Sequence, residues 1–338
     1  MKQWLRWIGG SMVLGLALAA GWLALGLSRP YKGYSEAERF VEIPQGAGPA
    51  SIGKRLAEAG VVRDTFLFRV ELLRSGSGRR LQAGEYRFDQ PMSVAEVVAK
   101  LARGDVYLLP ITFREGLTIR QMSELFAAKG LGTAAEFVAA ARKGSLAAAF
   151  DPAATDLEGY LFPDTYAMPR HGTAVELVGR MVAGFEKTLT PELRSRAAAR
   201  GLDVRALVTL ASIIEKETGK AEERPVVAAV YANRLKIGMG LQCDPTVIYA
   251  LERAGRYTGN LTREDLRFDS PYNTYRYAGL PPGPIASPGR ASLDAATAPA
   301  DAPYLYFVSR NDGTHAFAST LEEHNRNVYE FQVRRTKN

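Results

Sequence analysis

The sequence predicts an α+β protein that begins with an N-terminal transmembrane helix and continues into a small strand–helix–helix–strand module and a larger α+β domain. Three observations carry this prediction. A run of 21 uncharged residues lies near the N-terminus, strand and helix periodicities alternate over residues 39–106, and long Gly- and Pro-containing stretches separate helices beyond residue 150. At about 150 residues per domain, the length of 338 residues also predicts two or three folded units.

The N-terminal apolar run extends from Trp7 to Leu27 and carries no charged residue over its 21 positions. At about 1.5 Å rise per residue, a helix of this length spans the roughly 30 Å hydrocarbon layer of a bilayer. Cations flank the run on both sides, and the free amino terminus favours a cytoplasmic N-terminus. Residues 1–29 are therefore predicted to form a cytoplasmic tip and a single-pass anchor in the inner (cytoplasmic) membrane, with the rest of the chain in the periplasm.

A cleavable signal peptide is the alternative interpretation of the same segment. Ala17-Leu18-Ala19 forms an A-x-A cleavage pattern behind a basic start. The apolar run continues eight residues beyond Ala19, which is longer than a signal peptide requires. We therefore favour an uncleaved anchor, and both interpretations place the remaining residues outside the cytoplasm.

Composition excludes several classes of protein. With 46% apolar and 23% charged residues, the chain is not intrinsically disordered. The net charge of +7 comes from scattered basic residues, which argues against nucleic-acid binding and suits an anionic membrane or cell-wall polymer. The single cysteine, Cys243, excludes an intramolecular disulfide and a cysteine-based zinc site. With three histidines in the whole chain, we expect neither a metal centre nor a cofactor.

Residues 39–106 are predicted to form a compact module. Alternating apolar residues predict strands at 39–43 and 84–88. Helical spacing between them predicts helices at 50–59 and 64–73. The resulting order is strand, helix, helix, strand.

Capping residues mark the ends of the helices in this module. Asp64 is the expected N-cap of the second helix, and Ser93 is the expected N-cap of a further helix that ends near Gly104. Helical spacing places four apolar residues on one side of the second helix: Phe66, Leu67, Val70 and Leu73.

An internal repeat relates two segments at a gapless offset of 70 residues. The matched pairs are Gly46 and Gly116, Ile52 and Met122, Leu56 and Phe126, Ala57 and Ala127, and Gly60 and Gly130. The repeat predicts a second strand–helix–helix unit within residues 107–150. Chance similarity between two amphipathic helices is the alternative.

Residues 151–338 are predicted to form the larger α+β domain. Helical patterns cover residues 174–189, 204–218 and 224–237. A strand at 303–310 is predicted to pair with residues 315–317 across an Asn-Asp-Gly turn.

The helix at residues 204–218 offers two candidate general acids, Glu215 and Glu217. Stepping 100° per residue places them at opposite edges of the apolar face. A carboxyl at such a border is partly desolvated and is suited to proton transfer. Helical geometry alone does not choose between the two, and both could equally be solvated glutamates at a helix end.

Three further segments offer groups that suit a sugar polymer, which presents apolar C–H faces and hydroxyl groups. Gln242 and Asp244 lie in a polar turn, and residues 272–275 (YNTY) supply hydroxyl, amide and aromatic groups. Residues 279–289 form a proline-stiffened loop with little entropy to lose on ordering. A rigid surface loop without a ligand is the alternative interpretation.

Five motifs occur together in the exported part of the chain. They are LEGYLFPDTY (157–166), ASIIEKETG (211–219), NRL-x-IGM-x-LQ-x-DPTVIY (233–249), YNTY (272–275) and GLPPGPI-x-x-PG (279–289). In this order they resemble the MltG (YceG-like) endolytic murein transglycosylase family. The resemblance implies a LysM-like module within residues 39–106 and a catalytic domain at residues 151–338.

The resemblance also implies a reaction and a catalytic residue. The first Glu of the E-K-E-T stretch, Glu215, becomes the catalytic acid and base. The family cuts nascent glycan strands of peptidoglycan between N-acetylmuramic acid and N-acetylglucosamine, leaves 1,6-anhydro-muramic ends and so terminates strand elongation. One carboxyl suffices, because the C6 hydroxyl of the sugar attacks in place of water.

Further roles follow from this assignment. The residues expected to hold the saccharides are Gln242, Asp244, Tyr272, Asn273 and Tyr275, with Glu158 and Asp164 as weaker candidates. The expected partners are peptidoglycan strands, the inner membrane and, as the family implies, peptidoglycan synthases, with no nucleic acid. Two rival functions remain, a non-catalytic peptidoglycan-binding membrane tether and a muramidase-type glycoside hydrolase.

Overall fold

The structure, a computed structural model, describes the backbone of residues 2–334 and the side chains of residue 12 and residues 14–334. The chain divides into two compact units, Met1–Leu109 and Pro110–Asn338. The fold is α+β, with short strands that pair two by two and many helices.

The first unit contains one antiparallel pair of strands and a set of helices in the predicted order. The elements are α1 (Lys2–Ser28), β1 (Arg39–Ile43), α2 (Pro49–Glu58), α3 (Thr65–Ser75), β2 (Gly84–Phe88) and α4 (Val94–Arg103). β1 and β2 are antiparallel, with Val41 opposite Tyr86. Leu56, Phe68 and Tyr86 are fully buried in the core beneath this pair. The predicted strands and helices of this region are thus confirmed.

The N-terminal helix α1 covers the segment predicted to be the membrane anchor. The predicted cytoplasmic tip and the beginning of the predicted anchor, up to Ser11, lie outside the residues whose side chains are described. Within the part of the chain that the structure describes, no helix has both the length and the apolar character that crossing a bilayer requires.

Both predicted helix caps of the first unit are present. The Asp64 side chain accepts a hydrogen bond from the Leu67 backbone N–H at 2.9 Å. Ser93 and Glu96 form a reciprocal capping box at the start of α4, and Gly104 ends that helix in the left-handed conformation.

The predicted apolar side of α3 faces the core only in part. Leu67 is buried and Val70 packs against the core, as predicted. Phe66 is 56% exposed and Leu73 is 85% exposed, and Phe68 and Leu72 are buried instead. The buried face includes Glu71, whose carboxylate is paired with the exposed Arg74 at 2.7 Å. The prediction for Phe66 and Leu73 was wrong because the core side of α3 includes Glu71, and hydrophobic spacing alone assigns a charged residue to solvent.

The second unit is built around one buried helix, α9. The elements are β3 (Leu109–Thr112), α5 (Ile119–Ala128), α6 (Ala134–Ala141), β4 (Thr165–Met168), α7 (Ala174–Thr188), α8 (Pro191–Ala199), α9 (Val204–Glu217), α10 (Arg224–Lys236), α11 (Asp244–Arg253), α12 (Arg290–Thr297), β5 (Tyr306–Ser309), β6 (His315–Ala318) and α13 (Leu321–Val328). β3 pairs with β4, and β5 pairs with β6. Helices α8, α10, α11 and α12 all contact α9. The predicted helices and the predicted C-terminal hairpin are confirmed.

The 70-residue repeat is visible in the backbone. α2 spans residues 49–58, and α5 spans residues 119–128, which is the same length at the same offset. The glycines before each helix have matching left-handed φ angles, 78° at Gly46 and 77° at Gly116. The glycines after each helix also match, with 70° at Gly60 and 71° at Gly130.

The repeat supplies a matched pair of substitutions for stability. We expect Gly130→Ala to lower the free energy of unfolding by about 1 kcal/mol, since an added Cβ meets no atom within 4 Å and only the left-handed backbone is strained. Gly60→Ala should cost clearly more, because its Cβ would lie 2.8 Å from the Gly33 backbone carbon. Denaturant unfolding of the full chain in detergent measures both, and equal losses would contradict the clash at Gly60.

Candidate active site

Glu215 lies on the last turn of α9 and is held there by the burial of the helix. Asp203 caps the start of α9 by accepting a hydrogen bond from the Ala206 N–H at 2.7 Å. Every residue from Leu207 to Ile214 is buried. The Glu215 side chain is 6% exposed. The carboxyl is therefore neither solvated nor free to move, unlike that of a helix-end glutamate on the surface.

The carboxyl of Glu215 meets the beginnings of two other helices. Its Oε2 accepts hydrogen bonds from the Gly289 backbone N–H at 3.0 Å and from the Ser292 hydroxyl at 2.7 Å, both at the start of α12. Its Oε1 lies 3.4 Å from Nη2 of Arg224, the first residue of α10. Backbone N–H groups and a guanidinium both stabilise negative charge at this position.

A second carboxyl, that of Glu115, reaches the same place from the turn between β3 and α5. Its Oε2 lies 3.9 Å from Arg224 Nη2, and a Cβ added at Gly289 would collide with its carboxyl group. The Glu115 side chain is 46% exposed. Partial burial and then the charge of Glu215 raise the pKa of Glu115, and the cation of Arg224 opposes this shift.

Hydrogen bonds fix the turn that carries Glu115. The N–H of Gly116 donates to the Ser287 carbonyl at 2.8 Å, and the Ser287 N–H donates to the Leu117 carbonyl at 2.9 Å. The ammonium of Lys216 on α9 donates to the Gly116 carbonyl at 3.3 Å. The second repeat unit thus contributes the Glu115 side chain to the site. Glu115 lies in the turn at Gly116, the glycine that matches Gly46 in the repeat.

Glu217, the other candidate of the sequence analysis, lies in the interior at the opposite edge of α9. Its Oε1 accepts hydrogen bonds from the Tyr231 hydroxyl at 2.7 Å and the Cys243 thiol at 3.0 Å. Burial raises the pKa of Glu217. Glu217 therefore ties α9 to α10 and to the start of α11, and Cys243 is a buried packing residue.

Three of the predicted saccharide-binding residues come together on the surface. The Tyr275 hydroxyl donates to Asp244 Oδ1 at 2.6 Å, and Gln242 is exposed beside them with a left-handed φ of 48°. Thr274 joins the two segments, because its carbonyl accepts from the Gln242 N–H at 3.2 Å and its hydroxyl accepts from the Cys243 N–H at 3.0 Å. Gln242, Asp244 and Tyr275 thus form an exposed polar and aromatic surface.

Asn273 is predicted to bind a saccharide, but in the structure it is fully buried. Its amide donates to the Leu266 and Phe268 carbonyls at 3.0 and 2.7 Å, and its Oδ1 accepts from the Tyr275 N–H at 3.0 Å. These bonds shape the loop that presents Tyr275 and leave no polar group of Asn273 for a sugar.

Glu158 is also buried, away from its predicted contact with sugar. Its two oxygens accept hydrogen bonds from the Ile119 N–H at 3.0 Å and the Tyr249 hydroxyl at 3.2 Å. Burial raises the pKa of Glu158 to about 8. The carboxyl therefore joins the start of α5 to α11 inside the protein.

Tyr272 and Asp164 occupy two other places. Tyr272 is half-buried against Tyr249, with ring centroids 5.0 Å apart, and lies under the Arg253 guanidinium. Together with Glu158 it lines a cavity of about 150 Å³ that does not include Glu215. Asp164 is exposed and accepts a hydrogen bond from the Thr165 N–H at 2.7 Å, at the start of β4.

Among the residues whose side chains the structure describes, no cluster of three or more histidine, cysteine, aspartate and glutamate side chains is arranged to hold a metal ion. The residues that sequence reasoning missed are Glu115, Arg224, Gly289 and Ser292. Two sequence signals lie next to these residues: the repeat includes Gly116, which follows Glu115, and the proline-stiffened loop ends at Gly289. Neither signal indicated that these residues contact Glu215.

Comparison with known proteins finds relatives over most of the chain. The sequence profile of the YceG-like family matches residues 41–330. An endolytic murein transglycosylase of Bacillus subtilis (strain 168) is 31% identical over 334 residues, covering 94% of this chain and 89% of that protein. A protein of the same name from Streptococcus pneumoniae serotype 2 (strain D39) is 32% identical, and the match covers 86% of this chain and 58% of the relative. The crystal structure of a YceG-like protein from Listeria monocytogenes matches with a TM-score of 0.59 and 31% identity, over 86% of this chain and 99% of that chain.

The raised pKa of Glu158 predicts a pH-dependent effect on stability. Glu158 keeps its proton up to about pH 8 in the folded protein but only to about pH 4.3 when unfolded. Folding stability therefore falls as pH rises between these values. Glu158→Gln should remove this fall, so that the melting temperature of the variant relative to wild type is higher at pH 8.5 than at pH 5.

The matched control for this prediction is Glu264→Gln, because the Glu264 side chain is 84% exposed. Its melting temperature relative to wild type should be the same at both pH values. If Glu158→Gln behaves like the control, Glu158 is ionised in the folded protein and the assignment of a buried neutral carboxyl is wrong.

Proposed function

Because this chain belongs to the YceG-like family, we propose that it is an endolytic murein transglycosylase, which cleaves peptidoglycan glycan strands internally between N-acetylmuramic acid and N-acetylglucosamine. The names of its relatives support this reaction. The single observation that carries the proposal is the enclosure of the Glu215 carboxyl, 6% exposed, among the starts of α10 and α12 and the turn of Glu115.

The reaction requires one proton to leave a carboxyl and one to return. Glu215 donates a proton to the glycosidic oxygen, the bond from that oxygen to C1 of the muramic residue breaks, and N-acetylglucosamine leaves with a free hydroxyl. The C6 hydroxyl oxygen of the same muramic residue bonds to C1 and closes the 1,6-anhydro ring. Its proton passes to Glu215, so the enzyme is restored and no water is consumed.

The contacts of Glu215 support this use of one carboxyl. When the proton has left, the Gly289 N–H, the Ser292 hydroxyl and the Arg224 guanidinium stabilise the carboxylate without rearrangement. A hydrolase ordinarily needs a second carboxylate to activate water or to attack C1. Attack by the C6 hydroxyl is intramolecular and has a high effective molarity, so the proposed reaction has no such requirement.

The exposed surface of Gln242, Asp244 and Tyr275 is the proposed contact for the glycan. A tyrosine ring covers the apolar C–H face of a sugar, while amide and carboxylate groups bond to its hydroxyls. Asp244 and Tyr275 are already joined by a 2.6 Å hydrogen bond, so the ring is held in place before a glycan binds.

The proposal includes attachment to the inner membrane, with the catalytic domain in the periplasm. The support is in the sequence, where residues 7–27 are uncharged and are followed by cations. The β1–α2–α3–β2 order of the first unit supports a LysM-like, peptidoglycan-binding role for that unit. Peptidoglycan synthases are the partners that the family resemblance adds.

The test is strand cleavage by the full chain in detergent, with purified uncrosslinked glycan strands and mass spectrometry of the products. We expect anhydro-ended products whose summed mass equals that of the substrate. Glu215→Gln should lower the rate by ~10²–10⁴-fold, the range for loss of a general acid and base.

The control variant is Glu222→Gln, which makes the same change at an exposed glutamate seven residues further on and should keep the wild-type rate. Products heavier by one water would establish the muramidase alternative. Binding of strands without any product would establish the tether alternative, and an unchanged rate in Glu215→Gln would remove Glu215 from the mechanism.

A further inference from the structure

We propose that Glu115 is a second functional carboxyl of this site, which shares one proton with Glu215 beside Arg224 and returns it to Glu215 for each round of strand cleavage. This inference rests on the proposed function and deepens it. Glu115 is a positioning residue in this scheme, because it acts on the proton of Glu215 and not on the glycan.

The geometry brings both carboxyls to the same two groups. Arg224 Nη2 lies 3.4 Å from Glu215 Oε1 and 3.9 Å from Glu115 Oε2. Gly289 donates its N–H to Glu215 at 3.0 Å, while the space where a Cβ would lie is filled by the Glu115 carboxyl. The backbone φ of Gly289 is −78°, which any residue adopts, so the Glu115 carboxyl is the group that a side chain at this position would displace.

The charges around the pair favour one shared proton. The groups that face it are Glu215 and Lys216 on α9, Arg224 on α10 and Glu115 itself, while Arg290 on α12 is paired with Asp294 at 2.8 Å. The Lys216 ammonium is exposed and bonded to the Gly116 carbonyl. Two ionised carboxylates beside one buried guanidinium repel each other, and one proton on the pair relieves this repulsion.

The proton has a preferred resting place. Glu215 Oε2 accepts two hydrogen bonds, and Arg224 is closer to Glu215 than to Glu115. Burial and the neighbouring charge of Glu215 raise the pKa of Glu115. When the pair holds one proton, these contacts therefore favour its position on Glu115.

The cycle balances without any further reactant. The proton moves from the Glu115 carboxyl to the Glu215 carboxylate, and Glu215 gives it to the glycosidic oxygen as the bond to C1 breaks. The C6 hydroxyl then bonds to C1 and its proton goes to Glu215. The pair again holds one proton, which returns to Glu115.

The experiment is the pH dependence of kcat/KM for strand cleavage by wild type and Glu115→Gln. Glu115→Gln removes the carboxyl with the raised pKa that holds the shared proton, so the protonated, active form of the pair is lost at lower pH. We expect the alkaline limb of the profile to move down by about one pH unit or more. On the alkaline side of the profile the rate of the variant should then fall about tenfold below that of wild type, and at acidic pH it should recover.

Two further variants separate this role from a merely structural one. Glu115→Asp retains the carboxyl, and its alkaline limb should stay close to that of wild type. Gly289→Ala displaces the Glu115 carboxyl without changing its chemistry, and it should shift the limb in the same direction as Glu115→Gln. A uniform loss of rate at every pH in Glu115→Gln, with the limb unmoved, overturns the proposal.

Titration of the Glu115 carboxyl by ¹³C NMR in wild type and Glu215→Gln provides a readout that does not depend on the reaction. Glu115 should lose its proton at lower pH in the variant than in wild type, because the charge of Glu215 that raises its pKa is gone, and identical titration curves overturn the shared proton. If wild type gives hydrolysis products or none, the proposed function fails, while this titration still decides the role of Glu115.

Discussion

The burial of α9 is the constraint on which the rest of the site depends. Because the helix is enclosed from Leu207 to Ile214, its last turn cannot fray, and the direction of each side chain there is fixed. Ser212 on the buried face accepts a hydrogen bond from the Ile285 N–H at 3.1 Å. This bond attaches the proline-rich loop to α9, and the end of that loop carries Gly289 to the carboxyl of Glu215.

The two glutamates at the end of α9 are kept in the interior by different means. Glu217 receives neutral donors, the hydroxyl of Tyr231 and the thiol of Cys243, which suit a buried carboxyl with a raised pKa. Glu215 receives a backbone N–H, a hydroxyl and a guanidinium. A carboxyl next to a cation can change its charge without leaving its place, which is what the proton-transfer role proposed for Glu215 requires. Helical spacing alone could not make this distinction.

Local patterns predicted most of the fold, and the errors lie where distant segments meet. Asp64 and Ser93 cap helices as their residue types indicate, because a cap depends on three or four neighbouring residues. The exposure of Phe66 and the burial of Asn273 depend on partners elsewhere in the fold. The sequence could nominate Glu215 by resemblance. It could not place Glu115 beside Glu215, because 100 residues separate them in the chain.

The repeat explains how a carboxyl comes to lie beside α9. In both copies a glycine in the left-handed conformation turns the chain from a strand into a helix, with φ angles of 78° at Gly46 and 77° at Gly116. The residue before that glycine is Gln45 in the first copy and Glu115 in the second. Gln45 is exposed, and no atom lies within 4 Å of a Cβ built at Gly46, whereas the corresponding Cβ at Gly116 contacts the Glu215 side chain. The same turn therefore has a structural role in one copy, and in the other it supplies an acidic group to the site.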